Sequence, residues 1–206
     1  MTMRRQFIHL AAAFAVLVAV AGCTRPPPIK GLFVLEPASP PVVAKPQPGL
    51  LRIGSVTVAS PYRGRQFVVR ETDLKYETDY YNEFLVAPGA NIGEATARAL
   101  STAHVFAAVA PSTVTIDPDW VLDGFVDALY GDARASDKTS AALSITFFLR
   151  RQAGDAGVPV WSKTYERRVP FATGSASAYV TALNMAFGDI LAELARDLSA
   201  QNLAKS

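Results

Sequence analysis

Ala141-Ala142-Leu143-Ser144-Ile145-Thr146-Phe147-Phe148-Leu149-Arg150-Arg151 alternates with period two. Leu143, Ile145, Phe147 and Leu149 stand against Ser144, Thr146 and Arg150, the pattern of a strand with one buried face. Gly154-Asp155-Ala156-Gly157 follows as a hairpin signal, and Val158–Val169 reads as the return strand, with Trp161 and Tyr165 on one face and Pro170 as its stop. Upstream, Trp120–Tyr130 alternates more weakly, with Leu122, Val126 and Tyr130 opposite Asp123 and Asp127. These three segments predict an antiparallel sheet.

Working outward, Leu50–Ala59 and Phe67–Arg70 are rich in β-favouring residues, separated by a turn at Pro61-Tyr62-Arg63-Gly64. Leu74, Tyr76, Thr78 and Tyr80 alternate with Lys75, Glu77 and Asp79, which predicts a half-buried strand. Pro88-Gly89 breaks that pattern. Asn91 with Glu94 three residues later reads as a capped helix start, with Ile92, Ala95, Ala99, Leu100 and Ala103 on one face. Val105–Val109 reads as a short strand. The last element is a helix over 177–200, in which Leu183, Phe187, Ile190, Leu191, Leu194 and Leu198 form the core stripe and Asp189, Glu193, Arg196 and Asp197 face away. The expected class is α+β, a mainly antiparallel sheet with two helices packed on one face.

Residues 1–22 have the form of a cleaved secretory signal. Arg4 and Arg5 precede an apolar run from Phe7 to Ala21, at the short end of a membrane span, with no basic stop-transfer cluster after it. Val20-Ala21-Gly22-Cys23 closes the run and resembles the bacterial lipobox; Cys23 is the only cysteine in the chain. The resemblance implies diacylglyceryl transfer to the Cys23 sulfur, cleavage before Cys23, and a second, palmitoyl-type acylation of the new amine. Two or three acyl chains anchor stably where one does not. Thr24, in place of aspartate, favours the outer membrane by analogy with enterobacterial sorting.

Removing the signal takes out Arg4 and Arg5 and leaves 18 basic and 18 acidic residues, so no basic field argues for nucleic acid. Residues 24–49 hold eight of the fourteen prolines and read as a tether and surface loop, interrupted by one short strand at Leu32-Phe33-Val34-Leu35. The organisation is then 1–22 signal, 23–49 lipidated proline-rich segment, and 50–206 a single domain.

Little points to catalysis. His104 is the only histidine outside the signal, and there is no Gly-x-Ser-x-Gly elbow, phosphate loop or paired-histidine motif. Asp117, Asp119, Asp123 and Asp127 lack the glycine spacing of a calcium loop and read as a solvated sheet face. The expectation is no enzyme, no metal, and no cofactor beyond the covalent lipid on Cys23. Tyr80 and Tyr81 are consecutive, so on a strand they point to opposite faces and cannot both be core. With Phe84, they are the candidate partner surface.

Taken in order, these pieces resemble the ABC-type transport auxiliary lipoprotein family, the PqiC-like lipoproteins. The residues that carry it are the lipobox, Leu32-Phe33-Val34-Leu35, Leu51–Val58, Pro61-Tyr62 with Gln66–Arg70, Ala103–Val109, Val160–Tyr165 and Ala178–Leu183. Asp79–Phe84 departs from the tryptophan-bearing pattern of the family. The resemblance implies a non-enzymatic role at the periplasmic face of the outer membrane, as an auxiliary component of an MCE-type lipid transport system. The implied partners are an MCE-type periplasmic protein, an ABC transporter, the membrane through the lipid anchor, and phospholipid. A regulator or assembly factor of another envelope machine is the alternative reading, and a periplasmic hydrolase a third.

Overall fold

In a computed structural model, which describes residues 29–135, 138–152 and 158–203, the elements are, in order, β1 (Gly31–Phe33), β2 (Gln47–Val58), a 3₁₀ turn (Ser60–Tyr62), β3 (Gln66–Arg70), β4 (Tyr76–Phe84), α1 (Pro88–Thr102), β5 (Phe106–Ala110), β6 (Trp120–Asp132), β7 (Ser140–Arg151), β8 (Trp161–Pro170) and α2 (Ala176–Ala200). The signal, the lipobox with Cys23, and Gly154–Gly157 lie outside the described residues.

The sheet is organised on β6. One edge of β6 pairs antiparallel with β7 along its whole length, from Trp120 opposite Arg151 to Asp132 opposite Ser140. The other edge is shared. β2 runs parallel to its first half, Leu51 opposite Trp120 through Val58 opposite Val126. β3 takes over at the far end, with Val69 opposite Gly131 and Arg70 opposite Asp132. The 3₁₀ turn makes the switch, and its Tyr62 is buried and stacked on Tyr130 at 5.6 Å. Outward from there, β8 pairs antiparallel with β7, β5 parallel with β2, β4 antiparallel with β3, and β1 parallel with β4. The two longest ladders, β6–β7 and β7–β8, are antiparallel, while β2 is held by parallel pairs on both edges, so the class is α+β with a mixed sheet. Parallel neighbours need the chain to cross a face and return, and α1 provides one such crossing.

The core lies between the sheet and the two helices. Leu143, Ile145, Phe147 and Leu149 of β7 are buried, as are Leu122 and Val126 of β6. α1 packs on β2 and β5, α2 on β7 and β8, and the helices touch each other. Leu183, Phe187, Ile190, Leu191, Leu194 and Leu198 are fully buried, each contributing about 1.5–3 kcal/mol of apolar burial.

The start of α1 differs from the sequence expectation. Pro88 opens the helix at its first turn instead of breaking the chain. Gly89 is required there, because a Cβ would sit 2.6 Å from the Val56 carbonyl oxygen. Asn91 is therefore an interior residue and not a cap. Its side chain accepts from the Leu35 N–H at 2.8 Å and donates to the Leu35 carbonyl at 3.2 Å. At the other helix, Ser175 does cap α2, accepting from the Ala178 N–H at 3.1 Å.

Residues 34–46 also depart from a plain surface loop. They form a strap across the helices. Glu36 N–H donates to Asn184 Oδ1 of α2 at 2.8 Å, and Val43 N–H donates to the Ala103 carbonyl at the end of α1 at 2.9 Å. β2 begins at Gln47, whose amide donates to the carbonyls of Leu198, Ser199 and Gln201 at 3.1, 3.0 and 2.6 Å. Carbonyls at the end of α2 run out of helical N–H partners; the Gln201 N–H reaches the Leu198 carbonyl at 3.2 Å, and Gln47 adds a donor to all three. Prolines suit such a strap because they need no backbone partner for a missing N–H.

Candidate functional site

The sequence singles out Tyr80, Tyr81 and Phe84, and the structure separates them. Phe84 is 2% exposed and packs edge-on against Phe67 at 4.7 Å. It belongs to the core and is removed from the candidate surface; in the parallel ladder it sits opposite Phe33, on the face turned to the helices. Tyr80 and Tyr81 are 65% and 55% exposed, with ring centroids 5.3 Å apart in an edge-to-face pair.

Both tyrosines are outside for a local reason. Five steps of β4, from Thr78 to Glu83, face only two steps of β3, from Val68 to Gln66. The extra residues bulge, and strict alternation fails there. Asp79 holds the bulge: its carboxylate accepts from the N–H groups of Tyr81 at 2.7 Å and Asn82 at 3.1 Å, and from the Asn82 amide at 2.8 Å. β4 is consequently exposed over most of its length, and Leu74 before it is almost fully exposed. The expected half-buried strand is a strand, but an exposed one, with Tyr76 resting on Tyr130 at 5.9 Å.

Lys30 and Leu32 border the tyrosines. The Lys30 ammonium stands 5.5 Å over the Tyr80 ring and bonds Glu83 at 3.3 Å. Arg65 pairs with the other Glu83 oxygen. The two cations hold the Glu83 carboxyl below the usual carboxylate range against the opposing effect of its desolvation. Leu32 lies opposite Glu83 in the ladder and is half exposed.

Two of the four aspartates between 117 and 127 are committed to structure. Asp119 accepts from the Leu50 N–H at 2.7 Å, and Asp123 from the Ser55 N–H at 2.9 Å and from Arg150 Nε at 2.9 Å. Among the described residues no three histidine, cysteine or acidic side chains converge as a metal site. His104 is exposed just past α1 with φ of 54°, the left-handed position that ends the helix. A shallow hollow of about 590 Å³ includes Arg52, Ser55, Asp123 and Arg150, and an apolar groove of about 740 Å³ runs between residues 41–45 and the end of α2.

Two ion-pair clusters escaped the sequence reading. In the first, Asp132 accepts from Arg134 Nε at 2.9 Å and Nη2 at 2.8 Å, and from Arg168 Nη1 of β8 at 2.8 Å. Arg134 reaches on to Asp73 at 2.8 Å. The Arg134 guanidinium holds the Asp132 carboxyl down at about 2. In the second, Lys163 donates to Glu193 at 2.8 Å and Asp197 at 2.7 Å, Arg167 pairs with Glu193, and Tyr165 donates to Asp197 at 2.6 Å. Glu193 and Asp197 thus turn to the sheet and do not face away. The signal was present: Lys163 and Arg167 share the strand face of Trp161 and Tyr165, and Glu193 and Asp197 are one helical turn apart with opposite charge. Lys163 and Arg167 hold Glu193 below its ordinary value, and burial pushes the Tyr165 hydroxyl up.

No curated protein matches the sequence. Among solved structures, protein XCC0632 from Xanthomonas campestris superposes with a TM-score of 0.73 at 19% identity, covering 85% of this chain and 99% of that one. A crystal structure of an uncharacterized protein superposes with a TM-score of 0.65 at 15% identity, covering 82% and 99%. At these identities the likeness is one of fold. Residues 33–195 match the family model described as the ABC-type transport auxiliary lipoprotein component. That match spans most of the chain, from β1 into α2, and the protein therefore belongs to the ABC-type transport auxiliary lipoprotein component family.

Proposed function

We propose that this protein is a lipid-anchored auxiliary component of an MCE-type envelope lipid transport system, holding the periplasmic MCE component of an ABC transporter at the outer membrane. The family match over residues 33–195 is the observation that carries the reading. The family is one of transport lipoproteins and not of enzymes, which agrees with carboxylates tied into ion pairs and backbone bonds. The lipobox supplies the anchor at Cys23, and Thr24 after it supports the outer membrane. Because β1 joins the sheet, the leash from Cys23 to Gly31 is short, and the domain stays close to the bilayer.

The test is Cys23→Ala in cells. The variant should lose its acyl mass, leave the membrane fraction for the periplasm, and abolish transport-dependent envelope integrity. A Cys23→Ala protein that remains membrane-bound and active refutes the anchor. A lipidated parent that never copurifies with an MCE protein or ABC transporter refutes the partner assignment.

A further inference from the structure

The chain enters the fold beside its most exposed aromatic pair. Ile29 is 96% exposed, Lys30 lies over Tyr80, and Leu32, Tyr80 and Tyr81 complete a patch on the outer side of β1 and β4. The patch is built. Asp79 fixes the bulge that turns both rings outward, and Glu83 fixes Lys30 beside them. Lys30 and Arg65 flank Glu83, and with Asp79 beside the rings the two cations balance two carboxylates, so the patch carries no net charge to repel a membrane surface.

We propose that this patch is a bilayer contact, with Tyr80 and Tyr81 seated among the lipid headgroups and Leu32 and Ile29 against the acyl boundary. The proposal rests on the lipid anchor at Cys23. Ile29 is six steps along the chain from Cys23, and fully extended these span at most about 20 Å. The bilayer that holds the acyl chains therefore lies within that distance of the patch. A protein partner has no room between them, since a 100-residue domain with a radius of gyration of ~13 Å is about 30 Å across. Tyrosine is the residue that settles at membrane interfaces, with an apolar ring and a wet hydroxyl.

The lone cysteine makes the test clean. In the mature lipoprotein Cys23 is blocked by lipid, so Leu32→Cys introduces one free thiol and leaves both tyrosines in place. The full lipoprotein carrying a nitroxide at this position is reconstituted in vesicles of phosphatidylethanolamine and phosphatidylglycerol. Met185→Cys, at an exposed position of α2, is the aqueous control. Collision with oxygen, relative to a water-soluble nickel chelate, should be several-fold higher at position 32 than at 185. Adding Tyr80→Ser and Tyr81→Ser should bring position 32 down towards the control. Equal, aqueous values at 32 and 185 in vesicles that carry the protein overturn the contact and leave the anchor intact. An immobilised label in native membranes that is aqueous on pure vesicles also overturns it, and makes the occupant a protein. Labelling of Cys23 in the unsubstituted protein, with failure to float with vesicles, instead removes the anchor on which the proposal rests.

Discussion

Replacing Asp132 with asparagine tests the electrostatics of the sheet's split end. Asp132 lies where β3 takes over the edge of β6, and its carboxylate ties Arg168 of β8 and Arg134 together. Its carboxyl is held at about 2 against an ordinary 3.8. At about 1.4 kcal/mol for each tenfold change, that fall corresponds to roughly 2.5 kcal/mol. Two features reduce it. The Asp132 side chain is only 9% exposed, but Arg134 and Arg168 are 38% and 43% exposed and screened by water. Neither arginine is stranded by the change, since Arg134 keeps Asp73, and Arg168 keeps Glu166 and the Tyr130 hydroxyl. Asp132→Asn should therefore cost about 1–2 kcal/mol at neutral pH. The folded carboxyl is the stronger acid, so its contribution is fully present above about pH 4 and is lost as pH falls through about 2. Urea unfolding of both proteins, followed by circular dichroism from pH 7 to pH 2, reads this directly. The gap between them should stay level down to about pH 4 and then close. A gap that persists unchanged at pH 2, or no gap at pH 7, refutes the reasoning.

Two further substitutions have worked expectations. The Tyr179 hydroxyl is buried without a hydrogen-bond partner among the described residues, so Tyr179→Phe should raise stability by about 1 kcal/mol. A lowered unfolding midpoint would mean that the hydroxyl is paired. His104 holds a left-handed φ of 54° just past α1, so His104→Gly should stabilise by about 1 kcal/mol, or about 2–4 °C in Tm. A loss of stability in calorimetry would show that the His104 side chain makes a needed contact.

Period and stripe were legible where one face is dry. β7 and α2 fall where the sequence puts them, because burying Leu143, Ile145 and Phe147 or Leu183, Phe187 and Leu194 leaves one arrangement that hides them all. Local rules failed where a distant partner decides. Asn91 has the sequence context of a cap, but Leu35, 56 residues away, claims its amide. Proline-rich residues 34–46 lack periodicity, so nothing local predicts that they cross both helices; Asn184 and the Ala103 carbonyl hold them there from far along the chain. Tyr80 and Tyr81 follow alternation until Asp79 opens the bulge, and a single strand's pattern does not record register slippage against its neighbour. Parallel pairing of β2 with β6 was equally hidden, since alternation is blind to strand direction.

The same bookkeeping of partners bears on what kind of work the fold can do. A hydrolytic site needs an acid or base free to exchange a proton near neutral pH. Asp119 and Asp123 are held by backbone N–H groups, Asp132 and Glu193 by guanidinium and ammonium groups that keep them ionised, and Asp197 by Lys163 and Tyr165. Asp119, Asp123 and Asp132 tie strands and their flanks to one another, and Glu193 and Asp197 fasten α2 to β8. The helix stripe is no lipid groove either, because α2 spends it on β7 and β8 and the strap covers part of the remaining helix surface. One exposed apolar and aromatic patch, of Ile29, Leu32, Tyr80 and Tyr81, lies where the described chain begins. Such an arrangement agrees with membership of a family of transport auxiliary lipoproteins.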